Sequence, residues 1–199
     1  GGSLIDIGVH AIDLALYFLD YPTVSEVSGT TRSQFGTRED YAYVEMWGDD
    51  VGPEGFDVDD SASAFIRTEE GQTISLDVAW ATNRPTNDEF VLRGTEAGAR
   101  LDRASHELTV YEANGAGTDH LTDAEIQTQG GDTHKAEVGY FLDHVAAGET
   151  PERNTVDEAL TVQRVIDAIY RSSEQGEAVS LDDEHDDNRT TRQTPNSTI

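Results

Sequence analysis

The chain has 199 residues, with 13 basic side chains against 40 acidic ones, a net charge of −27 and no cysteine. Disulfides, thiolate metal sites and cysteine nucleophiles are therefore excluded, and no apolar run reaches the roughly 18 residues of a membrane span. So acidic a surface, with no basic stripe, repels phosphate and speaks against nucleic acid as a partner.

One domain, or at most two small ones, fits this length, and a chain of this size buries roughly 70% of its unfolded surface without staples. The basic residues are twelve arginines and the single Lys135, and the acidic residues run along the whole chain. Such a surface repels itself unless salt screens it, so the composition predicts a protein of a salt-loaded cytoplasm, with an ordinary acidic protein as the alternative. The only methionine is Met46 and the first residue is Gly1, which reads as a processed product, an engineered domain or a fragment. No signal-peptide pattern opens the chain.

Residues 3–19 predict a helix, with Ser3 and Asp6 spaced as a capping box and Pro22 beyond its end. An extended stretch follows from Val24 to Phe35. Tyr41 to Trp47 alternates as a strand with two apolar faces, which asks for helices on one side and a partner on the other. Asp49 to Asp60 reads as a solvated acidic loop without the ligand spacing of a calcium loop. Ser61–Arg67 and Thr73–Ala81 form a hairpin across Glu69–Gln72, with Ile74, Leu76, Val78 and Trp80 on one face. Phe90–Arg93 and Leu108–Tyr111 are two further short strands, so the centre reads as one antiparallel meander.

The pattern then turns helical. Val138, Phe141, Leu142 and Val145 fall at helical spacing, and Gly148 and Pro151 stop that helix. Thr155 and Glu158 make a capping box that opens a long helix closed by Gly176. From 182 to 199 the chain is polar and aperiodic and reads as a disordered tail, which carries two glycosylation-type sequons at Asn188 and Asn196. The order of elements predicts an α+β fold, a mostly antiparallel open sheet with helices packed on one face.

The chemistry-bearing residues concentrate on the first helix. At about 100° per residue, Asp6, His10, Asp13 and Tyr17 fall within roughly 60° of one another. Nearly everything else on that helix is apolar, and two carboxylates with an imidazole are costly to hide in hydrocarbon. The stripe therefore faces water, a cleft or a compensating partner. Asp6 and Asp13, one turn either side of His10, are placed to orient its ring for acid–base work. Spacing alone also fits a narrow solvated face with His10 incidental, or a shared metal ion lacking a further ligand. His106, His120, His134, His144 and His185 sit among charged neighbours and read as surface. Trp80 to Arg84 ends a strand with polar groups, Asn83 among them, that can touch a ligand. No G-x-G-x-x-G follows a strand, and Lys135 stands in no phosphate-loop context.

Gly1-Gly2 with Leu4-Ile5-Asp6-Ile7-Gly8-Val9-His10-Ala11-Ile12-Asp13 resembles the G-G-x-L-x-D-x-G-x-H-x-x-D signature of the Gfo/Idh/MocA oxidoreductases. The likeness extends through 60–81, 90–102 and 157–181. It implies the substrate and oligomerisation domain, residues 1–181, of an NAD- or NADP-dependent dehydrogenase of sugars or polyols, haloarchaeal in its charge. In that family Asp6 and His10 correspond to catalytic residues that work beside a lysine of the dinucleotide-binding domain. His10 handles the substrate hydroxyl proton, and Asp13 and Asn83 are expected to contact substrate. The open sheet face is expected to pair two copies, and the location to be cytoplasmic. This chain carries neither the glycine fingerprint nor that lysine. Alone it is expected to be inactive, with no cofactor or metal site of its own, and a stand-alone binding or dimerisation module is the alternative.

Overall fold

The computed structural model describes residues 1–41 and 55–181. They form an α+β fold in two compact units, Gly1–Thr82 with Asn154–Ile199, and Asn83–Arg153. The expected strand Tyr41–Trp47, most of the acidic loop, His185, the tail from 182 and both sequons lie outside the described residues, Tyr41 and 55–60 excepted.

The first unit opens with a π-helical turn, Leu4–Gly8, that runs into α1, Val9–Phe18. Strands β1 (Val24–Arg32), β2 (Ser61–Thr68) and β3 (Thr73–Ala79) follow; after the second unit come α3 (Val156–Gln175) and the short β8 (Val179–Ser180). The sheet is antiparallel with order β3-β2-β1-β8. Side chains of a strand alternate between faces, so Ala62, Ala64 and Ile66 of β2 point the same way, opposite Val78, Leu76 and Ile74 of β3. With Val27 and Val179 they make the buried face, and α1 and α3 lie on it through Ile12, Leu16, Val162, Val165, Ile166 and Ile169.

Small residues let α3 come close. A Cβ on Gly29 of β1 would lie 2.8 Å from Cγ2 of Ile169 and 3.4 Å from its Cα. Strand β8 pairs with β1 only at Glu26 and Val27. Further along, α3 supplies the hydrogen bonds: Ser172 Oγ accepts from the Gly29 N–H and Ser173 Oγ from the Thr31 N–H, each at 2.9 Å. Ser172 Oγ also donates to the Glu177 carbonyl at 2.6 Å. The ends of α3 follow local rules, with a Thr155–Glu158 capping box and Gly176 in the left-handed region at φ 72°.

The second unit is a separate meander, β4 (Glu89–Arg93), β5 (Ala97–Asp102), β6 (Glu107–Asn114) and β7 (His120–Ile126), with α2 at Thr133–Ala147. One face carries the cross-strand rows Phe90–Leu101–Leu108–Ile126 and Leu92–Ala99–Val110–Ala124. The single sheet expected from sequence is thus two sheets of four strands. Strands β5 and β7, short of large apolar residues, give the second sheet its own complete set of partners. On α2 the spacing is as expected and Gly148 closes the helix at φ 71°, yet Val138, Phe141, Leu142 and Val145 are all exposed.

Candidate active site

The site is built at the start of the first helix, and a distant carboxylate holds that start in place. The expected capping box between Ser3 and Asp6 does not form. Ser3 instead donates its hydroxyl to Asp59 Oδ2 at 2.7 Å, and the Leu4 N–H donates to the same oxygen at 2.8 Å. The Asp59 carbonyl accepts the Ser3 N–H at 2.9 Å, and Asp59 Oδ1 accepts the Tyr170 hydroxyl of α3 at 2.7 Å. Burial raises the Asp59 carboxyl, but the hydrogen bonds from Tyr170, Leu4 and Ser3 outweigh it and hold the group below its usual range. Gly2 is part of this arrangement, because a Cβ there would fall 2.0 Å from Asp59 Oδ1.

Asp60 is also buried, at 1% exposure. Its Oδ2 accepts the N–H groups of Phe35 and Gly36 at 2.6 and 2.9 Å, and its carbonyl accepts the Trp80 N–H at 2.9 Å. The reading of the loop's end as solvated surface is therefore corrected at these two positions. Both carboxylates carry hydrogen bonds that pay for their burial.

Leu4, Gly8, Ile12 and Leu16 face the core, and a Cβ on Gly8 would lie 2.9 Å from Leu4 and 3.5 Å from Val78 of β3. The opposite side is open. Asp6 and His10 are exposed, flanked by Ile5 at 46% and Ile7 at 39%, with Tyr17 at 51% about two turns beyond His10. The helix is thus buried on one side only, not on most sides as its composition suggests. The π turn carries one residue more per hydrogen-bonded ring than an α turn, so it displaces Asp6 relative to His10 on the helical wheel. Turns of this kind are frequent at functional sites.

The carboxylates flanking His10 are engaged elsewhere. Asp6 Oδ2 accepts from the Trp80 indole Nε1 at 2.9 Å, and Asp13 Oδ1 accepts from the Tyr21 hydroxyl at 2.5 Å. Tyr21 and its neighbour Asp20 both sit at positive φ, 47° and 62°, in a turn held by the Tyr21 N–H on the Leu16 carbonyl at 2.8 Å. Burial first, and then the Asp13 carboxylate, push the Tyr21 hydroxyl well above the ordinary tyrosine range. The imidazole of His10 has no hydrogen bond or ion pair among the described residues, so it is free to meet a ligand.

Asn83 is exposed and is the first residue of the second unit. Periodicity found the Asp6, His10 and Asp13 stripe. It missed Trp80, Tyr21, Asp59 and Tyr170 as the groups that hold it, and only the doublet Asp59-Asp60 ahead of an apolar strand gave a local signal. Among the described residues no group of three His, Asp or Glu converges to hold a metal ion, and no helix is long and apolar enough to cross a membrane.

The comparisons with known proteins agree with this architecture. Residues 1–100 match the model of the GFO/IDH/MocA C-terminal domain. The chain is 31% identical over 185 residues to D-xylose 1-dehydrogenase (NADP(+)) 2 of Haloferax volcanii, covering 92% of this chain and 49% of that protein. It is 28% identical over 185 residues to D-glucoside 3-dehydrogenase of Escherichia coli, covering 91% of this chain and 49% of the relative. Among solved structures, levoglucosan dehydrogenase in complex with NADH and levoglucosan superposes with a TM-score of 0.70 at 22% identity, over 92% of this chain and 51% of that one. Aldose-aldose oxidoreductase from Caulobacter crescentus, complexed with glycerol, gives 0.69 at 22% identity, over 91% and 48%. These structural likenesses carry the fold. The chain spans about half the length of the curated relatives it matches. From the signature residues, the fold they build and the matching domain model, this chain belongs to the GFO/IDH/MocA family, in which it corresponds to the C-terminal domain.

Proposed function

We propose that residues 1–181 are the substrate-binding and oligomerisation half of an NAD(P)-dependent oxidoreductase that acts on a sugar or polyol hydroxyl, with His10 as its acid–base group. The observation that carries the reading is the open turn on which Ile5, Asp6, Ile7 and His10 stand together. Two isoleucines in solvent beside an imidazole that has no partner among the described residues call for a cover. Relatives about twice as long as this chain suggest one, a dinucleotide-binding half.

Among the described residues no strand leads through a glycine-rich turn into a helix, and the nicotinamide is proposed to be bound mainly by a dinucleotide-binding half outside this chain. What the chain contributes is the substrate side. His10 takes the proton of the hydroxyl being oxidised. Asp6, with Oδ2 on Trp80, keeps Oδ1 for a neighbouring hydroxyl, and Asp13 keeps Oδ2. Sugar and polyol dehydrogenases among the relatives support the substrate class. The proposal includes a homo-oligomer formed through an open sheet face and a salt-rich cytoplasm of haloarchaeal type, which the charge of −27 and the Haloferax relative support.

The test is turnover of the full-length protein that contains this chain, on a panel of aldoses, glucosides and inositols with NAD and NADP. His10→Ala is expected to lower the rate by roughly 10²- to 10⁴-fold, the usual contribution of a general acid–base group. An unchanged rate on a confirmed substrate refutes the assignment.

A further inference from the structure

We infer that the dipeptide Asp59-Asp60 is the positioning element of the site, setting both the turn that carries Asp6 and the tryptophan that binds Asp6. The inference rests on the reading of Asp6 and His10 as the site, and it names residues outside the signature.

Two separate routes run from this dipeptide to one carboxylate. Along the first, Asp59 takes the Ser3 hydroxyl and the N–H groups of Ser3 and Leu4, which fixes the chain two residues before Asp6. Along the second, the Asp60 carbonyl takes the Trp80 N–H, and the Trp80 indole donates to Asp6 Oδ2. The routes meet at Asp6, so a rotation or slip of the dipeptide alters both ends of the Trp80–Asp6 bond together.

The dipeptide is itself held from three other directions. Tyr170 of α3 grips Asp59, the N–H groups of Phe35 and Gly36 grip the Asp60 carboxylate, and the Arg32 carbonyl accepts the Asp60 N–H at 2.8 Å. Every side-chain oxygen of Asp59 has a donor, and no side-chain polar atom buried among the described residues lacks a partner. An arrangement so fully bonded has one low-energy geometry, which is what a site needs behind groups that stand in solvent. Ser3, Asp59, Asp60, Trp80 and Tyr170 thus act through Asp6 and need not touch substrate.

The test needs no substrate, so its failure is separate from failure of the dehydrogenase reading. The 199-residue chain is labelled with nitrogen-15 in molar KCl, and the Trp80 indole N–H signal is identified by its disappearance in Trp80→Phe. Asp6→Ala gives the position of that signal without its carboxylate partner. Asp59→Asn is expected to move the indole signal towards that position, and Tyr170→Phe and Ser3→Ala to move it the same way by less. Val179→Ala, a core truncation in β8, is expected to leave it in place. Cooperative urea unfolding certifies each variant as folded; if Asp59→Asn does not fold, the Tyr170 and Ser3 variants decide. Folded variants whose indole signal coincides with that of the wild type overturn the inference, as does an equal displacement by Val179→Ala.

Discussion

Replacing Ser172 by alanine removes one oxygen and breaks two hydrogen bonds that join three elements. The Ser172 side chain is 2% exposed, and its Oγ accepts the Gly29 N–H of β1 at 2.9 Å while donating to the Glu177 carbonyl, ahead of β8, at 2.6 Å. The alanine leaves the Gly29 N–H and the Glu177 carbonyl without this partner, beside a buried side chain. An unpaired group out of water costs about 1–3 kcal/mol and the Glu177 carbonyl belongs to an exposed residue, so the substitution is expected to cost about 2 kcal/mol. Ser173→Ala is the internal control. Its bond to the Thr31 N–H has the same 2.9 Å length but lies on a half-exposed side chain, where water replaces the hydroxyl. Its expected cost is below about 1 kcal/mol. The assay is urea unfolding in molar KCl, because an uncharged denaturant leaves the screening of the acidic surface unchanged while ΔG is extrapolated. A Ser172→Ala variant within about 0.5 kcal/mol of wild type, or a Ser173→Ala variant that costs as much, refutes the claim that α3 hydroxyls complete the hydrogen bonding of β1.

Two further predictions concern pH and a helix end. Burial and bonding to Asp13 and Asp59 raise the Tyr21 and Tyr170 hydroxyls above their ordinary value of 10.0. The unfolded chain therefore releases these protons first, and the stability they contribute, fully present below pH 10, is lost as pH rises beyond it. The Tyr21→Phe/Tyr170→Phe variant is expected to show a shallower alkaline decline in urea midpoint, and an identical slope rejects this account. Thr155→Ala, which removes the hydroxyl that accepts the Glu158 N–H in the capping box on α3 and leaves the backbone half of the box in place, is expected to cost about 1 kcal/mol in the same urea assay.

Legibility of the fold followed the range of the interactions. The last helix was plain because everything that defines it is local: Thr155 and Glu158 at one end, Gly176 at the other, and Val162, Val165, Ile166 and Ile169 at helical spacing between. The hairpin of β2 and β3 was plain for the same reason. Strands β5 and β7 escaped notice because Ala97–Asp102 and His120–Ile126 contain few large apolar residues; pairing with β4 and β6, not periodicity, makes them strands.

In the site, the Asp6–His10 stripe is visible as a helical repeat, and its assignment is strengthened by a motif. The bonds that hold it are not visible. Trp80 lies 74 residues from Asp6, and Asp59 lies 56 from Ser3. Nothing in the spacing of either pair foretells contact. The expectation that Asp6 and Asp13 orient His10 is not met by their hydrogen bonds, which come from the Trp80 indole and the Tyr21 hydroxyl.

The first unit is discontinuous, since the 83–153 unit is synthesised between its sheet and the helix that covers it. A ribosome adds roughly 5–20 residues per second, so the emerging sheet waits several seconds for α3. Through that interval Val27, Ile66 and Leu76 lack the cover of α3 and share only α1, and Gly29 and Thr31 lack the serine hydroxyls that later bond them. The nascent chain is then most exposed to self-association, and its strong negative charge is a protection already in place. Adding positive charge to 61–79 is therefore a change whose cost falls on yield during synthesis rather than on the stability of the finished protein.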